Sequence, residues 1–519
     1  MPPSIVSLGI VSLGHAGLDI RLGATRLVVD PWLSPGGAYL GSRHPFPRND
    51  QLRAADLHDT PDLFISSPRA EHFDAETLRG FPGSVRRSVR VLIPAFPSRA
   101  LAAALAALGF ETVVELAEGE PFDLGNGATA TVWLGTPRYE PASTLVLRAA
   151  GQVVVAQSDC TLDGAALARV AAEKPSIHVL GFSGSSYFPG CYQFSSETMQ
   201  GHVAVETERL LTRFLSAAQA VDAPFVIPTG PACFLDERGF PLNFGESIFY
   251  DVDTLVARVG AEAPALAERL RPLYPGDAIR RADDGGWSFD SRRPYDDKRA
   301  HLEAYRDARA AARAARLAAI RAQAEPFDAQ ELVKELRIYF HNLFRFDDVT
   351  WDMDQLIRFQ LSDGPSIWLD FRKRPMRSRL DCEEPAQYTI TTDTIGITLL
   401  IQGKVTWNDL LLGNQVTLRR DPDRASAGLM HHLHAAHDEA LFGLVRQLNP
   451  ELITLEDETH EYVCQKFCPH QGRSLEFAMV ERGVLTCTAH GWRFNLKAGG
   501  KCLWGGDQPL VVKEIRARK

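Results

Sequence analysis

With 519 residues the chain is several times longer than a common single domain, so two to four domains and a large buried core are expected. A formal net charge of -9 leaves no electrostatic footprint for nucleic acid or an anionic membrane surface, and no stretch approaches the run of about eighteen apolar residues that crosses a bilayer. Eight cysteines scattered over this length suit a reducing compartment better than a disulfide framework, and the first residues lack the basic and apolar segments of a secretory signal, so a cytoplasmic location is expected.

The N-terminal segments GLDIRLG and TRLVVDPWL alternate apolar and polar residues on either side of Gly23-Ala24-Thr25, which predicts a β-hairpin ending at Asp30-Pro31-Trp32. PDLFISS predicts a strand that runs into a polar loop. RVLIPAF predicts another, followed by an Ala-rich helix from Ser98 to Leu108 closed by Gly109. Short strands with Gly-rich turns fill 112–156, and VVVAQSD ends at Asp159. A helix, the strand IHVLGF, the loop SGSSYFPGCYQF, a long helix capped at Ser195 or Ser196 and the strand PFVIPTGP follow. Strands with helices to both sides predict an α/β sandwich.

Several of these segments resemble one family in order: GHAG at Gly14, DPWLS at Asp30, ISSPRAEHFD at Ile65, QSDC at Gln157 and SGSSYFPGCYQF at Ser183. They are similar to metallo-β-lactamase-fold proteins of the ascorbate-lactonase-like branch, which implies an αββα sandwich over 1–295. In that family the loop after the second sheet strand reads H-x-H-x-D-H and binds two metals. The matching positions here are Ser67, Arg69, Glu71 and His72, so both histidines of the first metal site are replaced. Glu71, His72 and Asp159 survive at the positions that serve the second metal and the bridging carboxylate.

Two carboxylates and one imidazole make a hard donor set with vacant positions, suited to a single Fe(II) that binds oxygen. A decayed, metal-free site in which Arg69 neutralises Glu71 is the competing reading. His15, on the GHAG turn, is read as a hydrogen-bonded supporting residue and not a ligand. Arg43, His44, Arg48, Tyr187 and Tyr192 lie on loops where they could meet substrate or simply pack.

From Lys298 the composition becomes so rich in Ala and Arg that a connecting helix is predicted over about 296–327, its arginines solvated and Pro326 beyond its end. Residues 328–448 predict an α+β module containing SIWLDF, the alternating run YTITTDTIGITLLIQG and the helical GLMHHLHAAHDEALFGLVRQL. In that last run His431 and His434 share a helix face, and the spacing of His432 and His437 is reminiscent of an iron-ligand pair. Surface or interdomain histidines are the alternative.

The final segment, 449–519, carries CPHQG and CTAHGW. Cys468 and His470 are separated by sixteen residues from Cys487 and His490. A Rieske 2Fe-2S centre needs two thiolates on one iron and two imidazoles on the other, so each loop must supply one Cys and one His. A Cys2His2 zinc site uses the same ligand types and is the alternative. The run HGWRFNL with Gly499, Gly500 and Cys502 resembles the sequence after the second loop of Rieske ferredoxins and oxygenases, and implies a small all-β domain.

Taken together with LLLGNQVTLRRDPD, nearly the whole chain resembles the CMP-N-acetylneuraminate hydroxylases, although the Rieske module stands at the opposite end and the first metal site is lost. The resemblance implies a monooxygenase that hydroxylates or N-oxygenates a small polar metabolite with O2, taking electrons from an external reductase of ferredoxin, flavin or cytochrome type. It also implies a homo-oligomer. A hydrolase with a regulatory Rieske domain and an electron carrier on a metal-free scaffold are the other two readings.

Overall fold

The computed structural model describes residues 6–96, 98–135, 141–183, 186–245, 248, 250–282, 284–344, 353–373, 376–426, 429–430, 433, 452–469, 474–488, 491–504 and 509–518. The chain divides into two compact units, Met1–Leu433 and His434–Lys519.

In the first unit the predicted hairpin forms as Gly17–Leu22 against Thr25–Val29, antiparallel. It joins an eight-stranded sheet in the order Trp287–Asp290, Ala278–Ala282, Val6–Gly14, Gly17–Leu22, Thr25–Val29, Asp62–Phe64, Arg90–Pro94 and Thr112–Leu116. A second sheet of six strands runs Phe225–Thr229, Ile177–Gly181, Gln152–Ser158, Ser143–Ala149, Ala128–Leu134 and Phe122–Gly125. Because side chains alternate along a strand, each sheet has two apolar faces to cover. The inner faces cover each other: Ile10, Ile20, Leu27 and Phe64 of the first sheet share one core with Val132, Leu145, Val154 and Val179 of the second.

The outer faces are covered by helices. Val28, Leu63 and Val91 pack with Leu78 of the helix Ala75–Arg79 and with Leu101 and Leu105 of Ala100–Ala107. Leu180 and Val226 pack with Leu211 and Phe214 of Ser196–Val221 and with Leu255 and Val259 of Val252–Glu262. Ser195 caps that long helix by accepting from the Thr198 backbone N–H. The result is the four-layer αββα sandwich of the metallo-β-lactamase fold.

The Ala/Arg helix runs Lys298–Arg321 from the cap Asp297. Its arginines are less solvated than expected. Arg313 donates to the Gly41 carbonyl at 2.8 Å, Arg316 pairs with Glu76 at 2.8 Å and Arg321 with Asp393 at 2.7 Å. The helix clamps the loop around Gly36 and Gly41, and Gly36 has no side chain to collide with Arg316.

The α+β part builds a five-stranded sheet in the order Arg377–Arg379, Ser366–Asp370, Leu356–Leu361, Tyr388–Thr392 and Thr417–Arg420. The alternation expected to continue through TIGITLLI stops at Thr392. Asp393 accepts from the Gly396 N–H and starts a helix, Thr394–Ile401, that buries Ile397, Leu399 and Leu400. Local capping outweighs β-branched content there.

The second unit contains two small sheets, Leu452–Glu456, His460–Gln465 and Val512–Ala517, and Met479–Glu481, Val484–Thr486, Arg493–Asn495 and Lys501–Trp504. Their shared core holds Tyr462, Leu485, Phe494 and Leu496 together with Cys468 and Cys487. This is the all-β domain expected.

Candidate metal centre

Two chain segments meet at the end of the sandwich. His72 and Glu71 lie on the loop that follows Asp62–Phe64, and Asp159 directly follows Gln152–Ser158. One donor atom from each of Glu71, His72 and Asp159 lies within 4.8 Å of the others. His72 is fully buried and Glu71 nearly so.

The imidazole is oriented from behind. Its Nδ1 lies 2.8 Å from Asp30 Oδ2 and 3.2 Å from Ser66 Oγ, which turns Nε2 toward Asp159 Oδ1 at 3.3 Å. Asp30 is itself held by the Ser66 backbone N–H at 2.8 Å and by the Ser66 hydroxyl. Burial acts to lower the His72 pKa, but the carboxylates of Asp159 and Asp30 outweigh it and raise the pKa to about 10. In the absence of a metal, the two carboxylates therefore favour the imidazolium form of His72.

Glu71 accepts a hydrogen bond from the Tyr39 hydroxyl at Oε2, while Oε1 is buried with no hydrogen-bond partner. Burial pushes its carboxyl upward, and the charges of Arg69 and His72 more than reverse this. Asp159 is held well below the carboxylate range: burial opposes ionisation, and Arg69 and His72 overcome it. The Arg69 guanidinium is 2.6 Å from Asp159 Oδ2 and 3.9 Å from Glu71 Oε1. The metal-free reading pairs Arg69 with Glu71; Asp159 is the nearer partner.

His15 stands beside His72 with ring centroids 5.5 Å apart, and its Nδ1 is buried without a hydrogen bond. Burial, aided by the His72 charge, lowers its pKa to about 4, so it is neutral. A buried, unsatisfied polar atom is uncommon in a folded protein. Glu71 Oε1 and His72 Nε2, both in the donor set, are of this kind, as is the neighbouring His15 Nδ1, so these residues fit a cation. The residues offering ligands are Glu71, His72 and Asp159.

Of the loop residues that could meet substrate or simply pack, Arg43, His44 and Tyr192 are buried. Arg43 donates to the carbonyls of Leu412 and Ser186 and stacks on Phe234. His44 is completely buried against Tyr305, Arg48 pairs with Asp50, and the Tyr192 hydroxyl meets that of Tyr388 at 2.5 Å. Sequence reasoning missed Asp30, Ser66 and Tyr39 as supports of the donor set. The DPWLS motif pointed to the first; nothing local pointed to the others.

In the second unit Cys468 and Cys487 are buried side chains of one core. Gly491 takes a left-handed φ of 72° while its N–H donates to the Cys487 carbonyl, so the second loop turns back on itself where a Cβ would be strained. Gly500 is more constrained: a Cβ there would stand 1.8 Å from the Leu510 carbonyl oxygen. The two described cysteines fit the thiolate half of a 2Fe-2S cluster. His470 and His490 lie outside the described residues, as do His431, His432, His434 and His437.

A metallo-β-lactamase-fold sandwich with a buried acid–histidine set is thus joined in one chain to a C-terminal iron–sulfur domain. Residues 440–512 match the family model for the Rieske 2Fe-2S domain. Two curated proteins resemble the chain over nearly its whole length. One, from Mycolicibacterium smegmatis, is 26% identical over 550 residues, 98% of this chain and 100% of that protein. Another, from Mycobacterium tuberculosis, is 27% identical over 543 residues, 95% and 97% respectively. Both are provisionally named Rieske 2Fe-2S iron-sulfur proteins.

The 3-chlorobenzoate-3,4-dioxygenase oxygenase subunit of Comamonas testosteroni is 49% identical over 47 residues, 9% of this chain and 10% of that protein. Among solved structures, CmlA, a diiron beta-hydroxylase from Streptomyces venezuelae, is 17% identical with a TM-score of 0.36, covering 53% of this chain and 54% of that one. Igni18, a metallo hydrolase from Ignicoccus hospitalis, is 14% identical with a TM-score of 0.36, covering 53% and 97%.

Among the described residues no helix is long and apolar enough to cross a membrane.

Proposed function

We propose that the chain is a Rieske-dependent non-haem iron monooxygenase that hydroxylates or N-oxygenates a small polar metabolite. The observation that carries this reading is the convergence of Glu71, His72 and Asp159 within 4.8 Å, bordered by unsatisfied Glu71 Oε1 and His15 Nδ1, in a chain with a C-terminal Rieske domain. A single Fe(II) held there would supply oxygen activation, with electrons drawn through the cluster of Cys468, His470, Cys487 and His490 from an external reductase.

The chain's own residues have defined tasks in this reading. Asp30 and Ser66 fix the His72 ring so that Nε2 faces the donor cluster, which a ligating histidine requires of its second nitrogen. Tyr39 fixes Glu71 through Oε2 and leaves Oε1 for the metal. Burial of Glu71 and His72 keeps bulk water from the reacting atoms. Asp159 gives Oδ1 to the cluster while Arg69 holds Oδ2.

Substrate identity at the level of a sialic acid nucleotide rests on the resemblance of nearly the whole chain to the CMP-N-acetylneuraminate hydroxylases, of which LLLGNQVTLRRDPD is the specific part. The cytoplasmic location, the homo-oligomer, and the division into 1–295, 296–327, 328–448 and 449–519 belong to the same proposal. His432 and His437 remain the alternative ligand pair.

A second reading has one specific observation behind it: Arg69, 2.6 Å from Asp159, supplies a positive charge where a dinuclear enzyme holds its first metal. That favours an electron carrier on a metal-free scaffold. Iron analysis with oxygen-uptake measurements separates the two. Three irons per chain and reductant-dependent oxygen consumption are expected for the oxygenase. Two irons and no coupled uptake would establish the carrier, and turnover under strict anaerobiosis would establish a hydrolase.

A further inference from the structure

Asp159 has a second side. It lines a cavity of about 150 Å³ enclosed by the turn from Gln157 to Leu162 and by the helix Ser196–Val221, whose Arg213 and Ala217 face it. The turn owes its shape to a left-handed Ser158, φ 50°, and to Gly181, where a Cβ would meet the Ser158 carbonyl oxygen at 2.5 Å. Leu162, Leu167 and Leu180 make the rest of the wall largely apolar.

Arg213 is the unusual group. Its Nη1 donates to Thr161 Oγ1 at 3.1 Å, whereas Nη2 is buried without a hydrogen-bond partner. Among the described residues no carboxylate forms an ion pair with it, although most buried arginines are paired. The Ser158 hydroxyl, on the same cavity wall, is likewise buried and unsatisfied. A buried guanidinium nitrogen, Nη2, and a buried hydroxyl, both without acceptors, form the complement of an oxyanion. Arg213 also lines an open groove on the outer face of its helix, so the guanidinium stands between the cavity and solvent.

Charge selects among oxyanions. Arg213 is the one guanidinium lining the cavity among the described residues, and the ionised Asp159 forms part of the wall. Asp159 is already paired with Arg69, so a phosphate dianion would bring two charges to the single lining cation Arg213, whereas a carboxylate brings one. The leucines suit a short aliphatic body. We propose that this cavity seats a small carboxylate, its head on Arg213 Nη2 and Ser158 Oγ and its chain against Leu162, Leu167 and Leu180, and that this group is the anionic end of the substrate handled on the other side of Asp159. The second half of this proposal rests on the oxygenase reading; the first half does not.

The test uses the full-length protein and needs no turnover. Acetate and propionate, titrated by calorimetry, are expected to bind saturably, and Arg213→Met should weaken both at least tenfold. Ala217→Leu, which keeps the cation but fills the cavity, should do the same, and it stands in for Arg213→Met if the latter loses its native circular dichroism. Inorganic phosphate should bind more weakly than acetate.

Carboxylate binding unchanged in both variants, or no saturable binding at all, would overturn the site. Phosphate binding more tightly than acetate would overturn the ligand class. Iron is counted on the same samples: two irons per chain with Arg213-dependent acetate binding would remove the oxygenase and leave the carboxylate seat standing. Three irons without acetate binding would do the reverse.

Discussion

The Tyr39 hydroxyl donates to Glu71 Oε2 across 32 residues of sequence, and the same tyrosine is gripped from a far more distant part of the chain. Leu412 packs in one cluster with Tyr39 and Trp32, and a Cβ on Gly413 would meet the Tyr39 carbonyl oxygen at 2.8 Å. Asn414 reaches Ser42 Oγ at 3.0 Å, and Leu418 donates its N–H to the Cys191 carbonyl at 2.9 Å. The segment LLLGNQVTLRRDPD, which lies outside any generic metal motif, is thus the strap that holds a support of the donor set.

Tyr39→Phe should therefore weaken metal retention without unfolding the chain. A hydrogen bond to a charged acceptor contributes about 1.5–3 kcal/mol, so a loss of roughly tenfold or more in Fe(II) or Co(II) affinity is expected. Competition with a chelator measures it. An unchanged affinity would remove Glu71 from the ligand set.

Arg69→Met should act in the opposite direction. The guanidinium 2.6 Å from Asp159 repels any cation bound beside it, so its removal should raise divalent-metal affinity by at least about tenfold, about 1.4 kcal/mol. Weaker binding in the variant would mean that Arg69 orders Asp159 more than it repels the metal.

His72→Ala should abolish iron beyond the cluster while leaving the cluster's visible absorption intact, because Cys468 and Cys487 belong to the other compact unit. Metal analysis and absorption spectra of one preparation read both. Full reductant-dependent activity in this variant would sink the site assignment.

His178 gives the pH dependence. It is fully buried, with Nε2 2.8 Å from Gln157 Oε1, and burial lowers its pKa to about 3. As pH falls below about 6.5 the unfolded chain takes up a proton that the folded chain refuses until near pH 3. Stability is therefore lost across that window, by a few kcal/mol in all. His178→Gln should flatten urea midpoints between pH 7 and 4.5 by up to one proton's worth, roughly 1.4 kcal/mol per pH unit. Equal slopes for both proteins would show that His178 protonates in the fold.

Gly500→Ala should disable the second unit. Its φ of 80° and the clash with the Leu510 carbonyl leave no room for a methyl group, so the cluster's absorption should disappear while most far-ultraviolet circular dichroism persists. A native visible spectrum in this variant would contradict the close packing of Gly500 on Leu510.

Much of this was legible in sequence because the signals are local. Alternating runs gave the hairpin Gly17–Leu22 and Thr25–Val29, Ser195 gave the start of the long helix, and the Cys468 and Cys487 spacing gave the C-terminal domain. The approach of Glu71, His72 and Asp159 to one another was legible through motif order, not proximity in sequence. Tyr39, Ser66 and Arg213 were not, because each matters through a partner brought near only by folding: Glu71, Asp30 and a cavity. The helix Thr394–Ile401 was misread because its residues favour a strand until Asp393 supplies a cap.

The Gly41 loop is held by Arg313 and flanked by Asn414, so the candidate centre draws its supports from residues late in the chain. A ribosome delivers the sandwich first. Residues 1–295 leave the exit tunnel before the strap that covers Trp32 and Tyr39 exists. In the oxygenase reading, iron would be loaded only after the first unit is complete, because a nascent or truncated sandwich would meet the cellular metal pool with its centre unfinished.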